Sequence, residues 1–297
     1  MNLINLNNDI PFFQTNKKST IFKDFFTVKT CTKLKFLETE KLFYGYSCGE
    51  LSETLLQKSV SELKERLYGY INLLDNKNFL AYDIVNHEPK FKENVKFFFG
   101  LTDNSYIYND STGLAYHPTN FELALNHGKN ELNERYILGK LWLNKVKVDK
   151  IISTPISEKI RLKQYLINEY KFCVTLCIFE DFISLGCSVD TLIETAKIKS
   201  KAEAFMVADE FYSDRLVINK SKHKEALRKC FDLEFIKYIE NKFDNALSNI
   251  AYDKECLTEI YYINLKVEKG FLVRVFSPDF IHYSHLKDEN SLIVPLI

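Results

Sequence analysis

Leu56, Val60, Leu63, Leu67 and Ile71 recur at helical spacing, which predicts an amphipathic helix from about Ser52 to Leu74 with one apolar stripe. Before it, Lys41-Leu42-Phe43-Tyr44-Gly45-Tyr46 reads as a strand leading into a Ser47-Cys48-Gly49 turn. The same plan follows again. Asn94 to Leu101 reads as a strand, Asp110-Ser111-Thr112-Gly113 as a turn, and Thr119 with Glu122 as a capping box opening a second helix. Ala124, Gly128 and Leu132 form that helix's packing stripe, and the two small residues predict close approach of a neighbouring element. A third strand starts at Phe172, passes a Leu185-Gly186-Cys187-Ser188 turn and enters a helix from about Val189 to Tyr212. Lys222 to Leu247 has a helical apolar face, and Glu259 to Val267 with Gly270 to Phe276 reads as a hairpin. Sets of strands and long helices predict a mixed α+β or α/β sandwich.

The 297 residues and 46% hydrophobic content supply a substantial core, and with no Pro- or Gly/Ser-rich linker they read as one domain. Lys+Arg and Asp+Glu are each 40, so no global attraction to nucleic acid or an anionic membrane is expected. The N-terminus lacks the basic-then-apolar plan of a signal peptide, and the most apolar stretch, Phe172 to Phe179, is too short to span a bilayer. Seven irregularly spaced cysteines argue for a reducing compartment, the cytoplasm by default. Cys173 and Cys177 share one face of their strand, and without a second Cys/His pair they read as buried free thiols.

Two of the helices carry Glu-x-x-Glu-Arg, at Glu62, Glu65 and Arg66 and again at Glu131, Glu134 and Arg135. Carboxylates three apart share a helix face, and the arginine adds a fixed cation beside them. One copy is most simply a solvated surface worth about 0.2–0.5 kcal/mol per pair. Two copies in similar apolar settings point towards metal ions and phosphates.

These segments resemble the signatures of the YcaO family. Ser111-Thr112-Gly113-Leu114-Ala115, Ala124-Leu125-Asn126-His127-Gly128 and Glu131-Leu132-Asn133-Glu134-Arg135 are similar to its second signature in order and spacing. Glu62-Leu63-Lys64-Glu65-Arg66 behind Ser47-Cys48-Gly49 resembles the first, Ala196 to Glu203 the third, and Val273 to Pro278 the closing strand. The resemblance implies an α+β fold of mixed sheets flanked by long helices, with residues 41–297 as the YcaO-like domain behind an N-terminal segment, 1–40. It implies ATP and Mg2+ as cofactors and the O-phosphorylation of backbone amides in a ribosomally made precursor peptide. Glu62, Glu65, Glu131, Glu134 and Glu203 would hold the ions. Arg66 and Arg135 would face phosphate oxygens or orient the carboxylates, and Lys58, Ser111 and Lys199 would contact the nucleotide.

The sequence departs from the family at several places. Lys58 stands where the family has serine, Lys199 where it has arginine, Met206 where it has glutamine, and His117-Pro118 where Gly-Asn is common. A lysine meets phosphate as a point charge rather than with a bidentate grip, and methionine removes a donor and acceptor. The chain ends with the single Pro295 rather than alternating prolines and lacks a long leader-binding extension, so a separate partner is expected to present the peptide. That partner would be related to the ubiquitin-activating fold or to TfuA, in a hetero-complex or homodimer, with a flavin dehydrogenase as a possible further member. The leading expectation is a cyclodehydratase making thiazolines or oxazolines. The alternatives are a thioamide-forming enzyme and a degenerate scaffold subunit.

Overall fold

Three strands at the start of the chain, β1 (Phe13–Lys18), β2 (Phe26–Phe36) and β3 (Thr39–Gly49), form an antiparallel meander. The computed structural model describes residues 11–36, 39–99, 112–212, 228–247 and 257–280. The predicted first helix is α1 (Glu53–Asp75), and its N-cap is Ser52, whose hydroxyl accepts from the Leu55 amide. Its apolar stripe, Leu63 and Leu67, packs with Leu34 and Phe43 on one face of that meander.

A five-stranded sheet has the order β5 (Pro89–Asn94), β4 (Asn78–Asp83), β11 (Tyr261–Leu265), β12 (Phe271–Phe276), β6 (Leu114–His117). The predicted terminal hairpin is the β11–β12 pair. A four-stranded sheet has the order β10 (Ile183–Val189), β9 (Phe172–Ile178), β8 (Ile160–Ile167), β7 (Lys150–Ser157). The described helices also include α2 (Val95–Phe98), α3 (Phe121–Trp142), α4 (Ile193–Phe211) and α5 (Leu233–Asn245). Two compact units result. The first holds the three- and five-stranded sheets with α1, α2 and α3 as far as Leu132; the second holds the four-stranded sheet, α3 from Asn133, α4 and α5.

Five local expectations are corrected. Of the strand expected over Asn94 to Leu101, residues 95–99 are not extended: the Asn94 side chain accepts from the Lys96 amide and opens the short α2, which buries Val95 and Phe98 at helical spacing, and residues 100–101 lie outside the described residues. Neither Ser47 to Gly49 nor Leu185 to Ser188 is a turn: the first is the end of β3, paired with β2, and the second is part of β10, paired with β9 along its length. The apolar helix from Lys222 is interrupted at Cys230 to Asp232, because the Cys230 carbonyl accepts from the Ile183 amide and Asp232 caps a new helix, α5. Residues 222–227 lie outside the described residues.

The fifth correction concerns α3, whose cap is Asn120 rather than Thr119: the Asn120 side chain accepts from the Leu123 amide, while the His117 ring accepts from the Thr119 and Asn120 amides. Asn120→Ala should cost about 1 kcal/mol of stability in urea unfolding. A change within 0.2 kcal/mol would show that the His117 contacts suffice.

A duplication lies across the two units that the sequence pattern did not reveal. β1–β2–β3–α1 and β8–β9–β10–α4 are both antiparallel meanders followed by a helix. In the first, Gln14, Thr30 and Gly45 are register partners; in the second, Gln164, Thr175 and Gly186 are. Gln14 donates to Thr30, Ser59 and the Leu56 carbonyl, and Gln164 to Thr175 and the Lys197 carbonyl. The Thr30–Ser59 hydroxyl contact of 2.6 Å matches Thr175–Ser200 at 2.7 Å. One constant offset relates Gly45, Tyr46, Ser59 and Glu62 to Gly186, Cys187, Ser200 and Glu203.

Candidate functional site

The glycine of each module sets the distance between helix and sheet. A Cβ on Gly45 would lie 2.0 Å from the Ser59 carbonyl oxygen and 2.3 Å from the Leu63 nitrogen; one on Gly186 would lie 2.3 Å from the Ser200 oxygen and 2.4 Å from the Ala204 nitrogen. At that separation, the helix glutamate beside each crossing reaches the backbone of the strand. Glu62 Oε2 accepts from the Tyr46 amide at 2.7 Å, and Glu203 Oε2 from the Cys187 amide at 2.9 Å.

Two more glutamates are held in the same manner. Glu65 Oε1 accepts from the Tyr116 amide on β6, and Glu131 Oε2 from the Gly113 amide, both at 2.9 Å. The expected close approach at Gly128 is present, since a Cβ there would lie 2.7 Å from the Gly113 carbonyl oxygen. Gly113 itself has φ +77, the left-handed region that favours glycine. The buried Arg274 braces this turn by donating to the Thr112 carbonyl, and to that of Phe98 at 3.2 Å.

In the first unit this brings Glu62, Glu65 and Glu131 into one electrostatic set with Arg66. Burial raises the Glu65 carboxyl well above the usual range, its bond to Tyr116 opposes that, and the charges of Glu131 and Glu62 raise it further. Burial also raises Glu62, against the charge of Arg66 and the Tyr46 amide. Arg66 donates to Glu62 Oε1, so it orients a carboxylate here. The three carboxylates are half-buried and mutually repulsive oxygen donors, a chemistry suited to a hard divalent cation.

In the second unit, Arg135 lies 3.4 Å from Glu134, 3.8 Å from Glu203 and 3.6 Å from Cys187 Sγ. The Glu134, Cys187 and Glu203 donor atoms all lie within 4.8 Å of one another. Burial holds the Cys187 thiol well above its ordinary value, and the charge of Glu134 adds to this. Cys187 is a member of this set that the sequence reading missed. Its signal was the offset that makes it the counterpart of Tyr46, beside Gly186.

The residues expected to grip a nucleotide are placed differently. Lys58 is an exposed residue of α1. Lys199 pairs with Asp190 at 2.5 Å. Met206 is half-buried on α4, at the position equivalent to Glu65. Ser111 lies outside the described residues. Cys173 and Cys177 are buried free thiols, with burial pushing Cys177 up to about 12. Among the described residues, no helix is long and apolar enough to cross a membrane.

Meanders crossed by long helices, with helix carboxylates bonded to strand amides, define a mixed α+β fold with a half-buried acidic set in each unit. That fold is the YcaO fold. A YcaO from Methanopyrus kandleri, solved bound with AMPPCP and Mg2+, is similar to 89% of this chain over 84% of its own length, with a TM-score of 0.57 and 11% identity. A heterocyclase in complex with substrate and cofactor is similar to 91% of this chain, with a TM-score of 0.63 and 11% identity. This chain covers 50% of that heterocyclase. No protein-family model matches the sequence, and no curated protein matches it.

Proposed function

We propose that this protein uses ATP and Mg2+ to O-phosphorylate backbone amides of a ribosomally made peptide, closing neighbouring Cys, Ser or Thr side chains into thiazolines or oxazolines. The observation that carries this reading is the way Glu62, Glu65, Glu131 and Glu203 each bond a strand or turn amide through one oxygen. Such anchoring preorients the carboxylates that, with Glu134, would hold magnesium. The metal would neutralise charge on the transferred phosphoryl group.

The residues themselves supply position and charge. The amides of Tyr46, Tyr116, Gly113 and Cys187 fix the carboxylates, Arg66 orients Glu62, and Arg135 balances Glu134 and Glu203. In the reaction, the peptide's nucleophile adds to the amide carbon and gives up its proton, and the former amide oxygen takes the γ-phosphoryl group as ADP leaves. Phosphate then departs as the amide nitrogen loses its proton, leaving the C=N bond of the azoline. A leader-binding partner would present the peptide, in the cytoplasm.

The pairing of Lys199 with Asp190 favours a second reading, a scaffold subunit that no longer grips nucleotide. Calorimetry with ATP and Mg2+ separates the two. The enzyme reading expects saturable binding that EDTA abolishes, and ADP release with loss of 18 Da from the peptide once precursor and partner are added. Absence of binding together with an unchanged peptide mass would overturn it.

A further inference from the structure

The two β–β–β–helix modules differ in what lies on the sheet face opposite their helix. In the second module that face carries Arg161, Lys163 and Tyr165 on β8, Val174 and Leu176 on β9, and Leu185 on β10. It is covered. Phe243 of α5 packs its ring 5.4 Å from that of Tyr165, Asp244 accepts from Tyr165 and pairs with Lys163 at 2.8 Å, and Glu240 pairs with Arg161 and Lys163. Val174 and Leu176 on the same face are 0% exposed.

The register equivalents in the first module are Thr15 on β1, Lys29 and Cys31 on β2, and Tyr44 on β3. Their face also carries Phe13, 73% exposed, and Leu42, 52% exposed. Lys29 lies over the rings of Tyr44, at 4.2 Å, and Tyr46, at 5.4 Å. Lys17, Lys33 and Lys35 add to the cationic side, against Glu40, which pairs with Lys33. Exposed apolar side chains among cations, with the opposite face buried on α1, suit a partner that supplies both apolar surface and carboxylates.

We propose that the open face of the β1–β2–β3 sheet docks an acidic amphipathic helix of a partner protein, in the way α5 covers the equivalent face of β8–β9–β10. The excess of lysine disfavours a second copy of the same face, because self-pairing would set cation against cation. It favours a helix with the α5 pattern, in which Glu240, Phe243 and Asp244 lie on one side.

The test uses the full chain and a fluorescein-labelled synthetic peptide of residues 232–247 as the acidic helix, read by fluorescence anisotropy. Saturable binding is expected, weakened at least tenfold by Lys29→Glu, by Leu42→Asp, and by a peptide carrying Glu240→Lys and Asp244→Lys. These substitutions in the protein are on the exposed sheet face, and an unchanged thermal midpoint checks its fold. Absence of saturable binding overturns the proposal. So does binding indifferent to Lys29→Glu and Leu42→Asp, which would mean that the peptide replaces α5 on its own sheet. Tighter binding of a fifteen-residue oligothymidylate would make the occupant a nucleic acid. A dimer by light scattering that Leu42→Asp dissociates would make it a second copy, and either result overturns the proposal.

Discussion

Glu65→Gln should leave the protein folded, stabilise its metal-free form and remove magnesium-dependent nucleotide binding. The amide oxygen of glutamine still accepts from Tyr116, so the anchoring of α1 to β6 is kept. What disappears is a half-buried charge repelled by Glu131 and Glu62. In the metal-free protein that charge is unfavourable, and its removal should raise the thermal midpoint by roughly 2 °C or more. With Mg2+ and ATP the order should reverse, because the wild type gains binding energy that the variant lacks. Scanning calorimetry of both proteins, with and without Mg-ATP, reads both effects. If the variant binds Mg-ATP as the wild type does, Glu65 is not a ligand.

The pH dependence follows from the same groups. Glu62 and Glu65 have folded values raised above 4.5, so below that value their carboxyls are protonated in both states and carry no penalty. As pH rises past 4.5 the unfolded chain releases these protons first, and stability falls until the folded carboxyls also ionise. Asp190 and Glu240, lowered by Lys199 and by Arg161 with Lys163 despite the raising effect of burial, act with the opposite sign: their contribution is lost as pH falls through their folded values. The difference between wild type and Glu65→Gln isolates the Glu65 contribution. It should widen from pH 4.5 upward in metal-free buffer.

Gly45→Ala should be among the most damaging single-methyl changes in the chain, and Gly186→Ala its equal. At each site the added carbon meets backbone atoms of the crossing helix at 2.0–2.4 Å, which no side-chain rotation relieves. The helix must move away from the sheet, breaking the Gln–Thr–Ser hydrogen bonds behind the glycine and the glutamate–amide bond beside it. Overpacking of this kind costs about 3 kcal/mol or more. Urea unfolding measures it. A loss below about 1 kcal/mol at both sites would rule out the close helix–strand approach, whereas a large loss at only one would show that the modules are not equivalent in packing.

The long periodic helices were legible because each needs only its own stripe and cap: α1 is capped by Ser52, and the small residues Ala124 and Gly128 mark a close packing face on α3. The misread segments share a cause. Asn94 to Leu101 and Leu185 to Ser188 are short, and short apolar or glycine-containing runs fit strand, turn or helix alike until neighbours decide. Gly186 read as a turn residue because glycine marks both flexibility and close approach. Only the position of Ser200 and Ala204 above it distinguishes the two.

For the acidic sets of the two units, the sequence determined which carboxylates are present and that Glu62 and Glu65, like Glu131 and Glu134, share a helix face, since helical spacing is a local property. It could not determine which oxygen of each glutamate is spent on a strand amide, that Lys199 turns to Asp190, or that Cys187 joins Glu134 and Glu203. Those depend on contacts between residues far apart in the chain. The tertiary structure decided them by bringing helix and strand within reach at Gly45, Gly113 and Gly186, where the missing side chain lets two backbones meet.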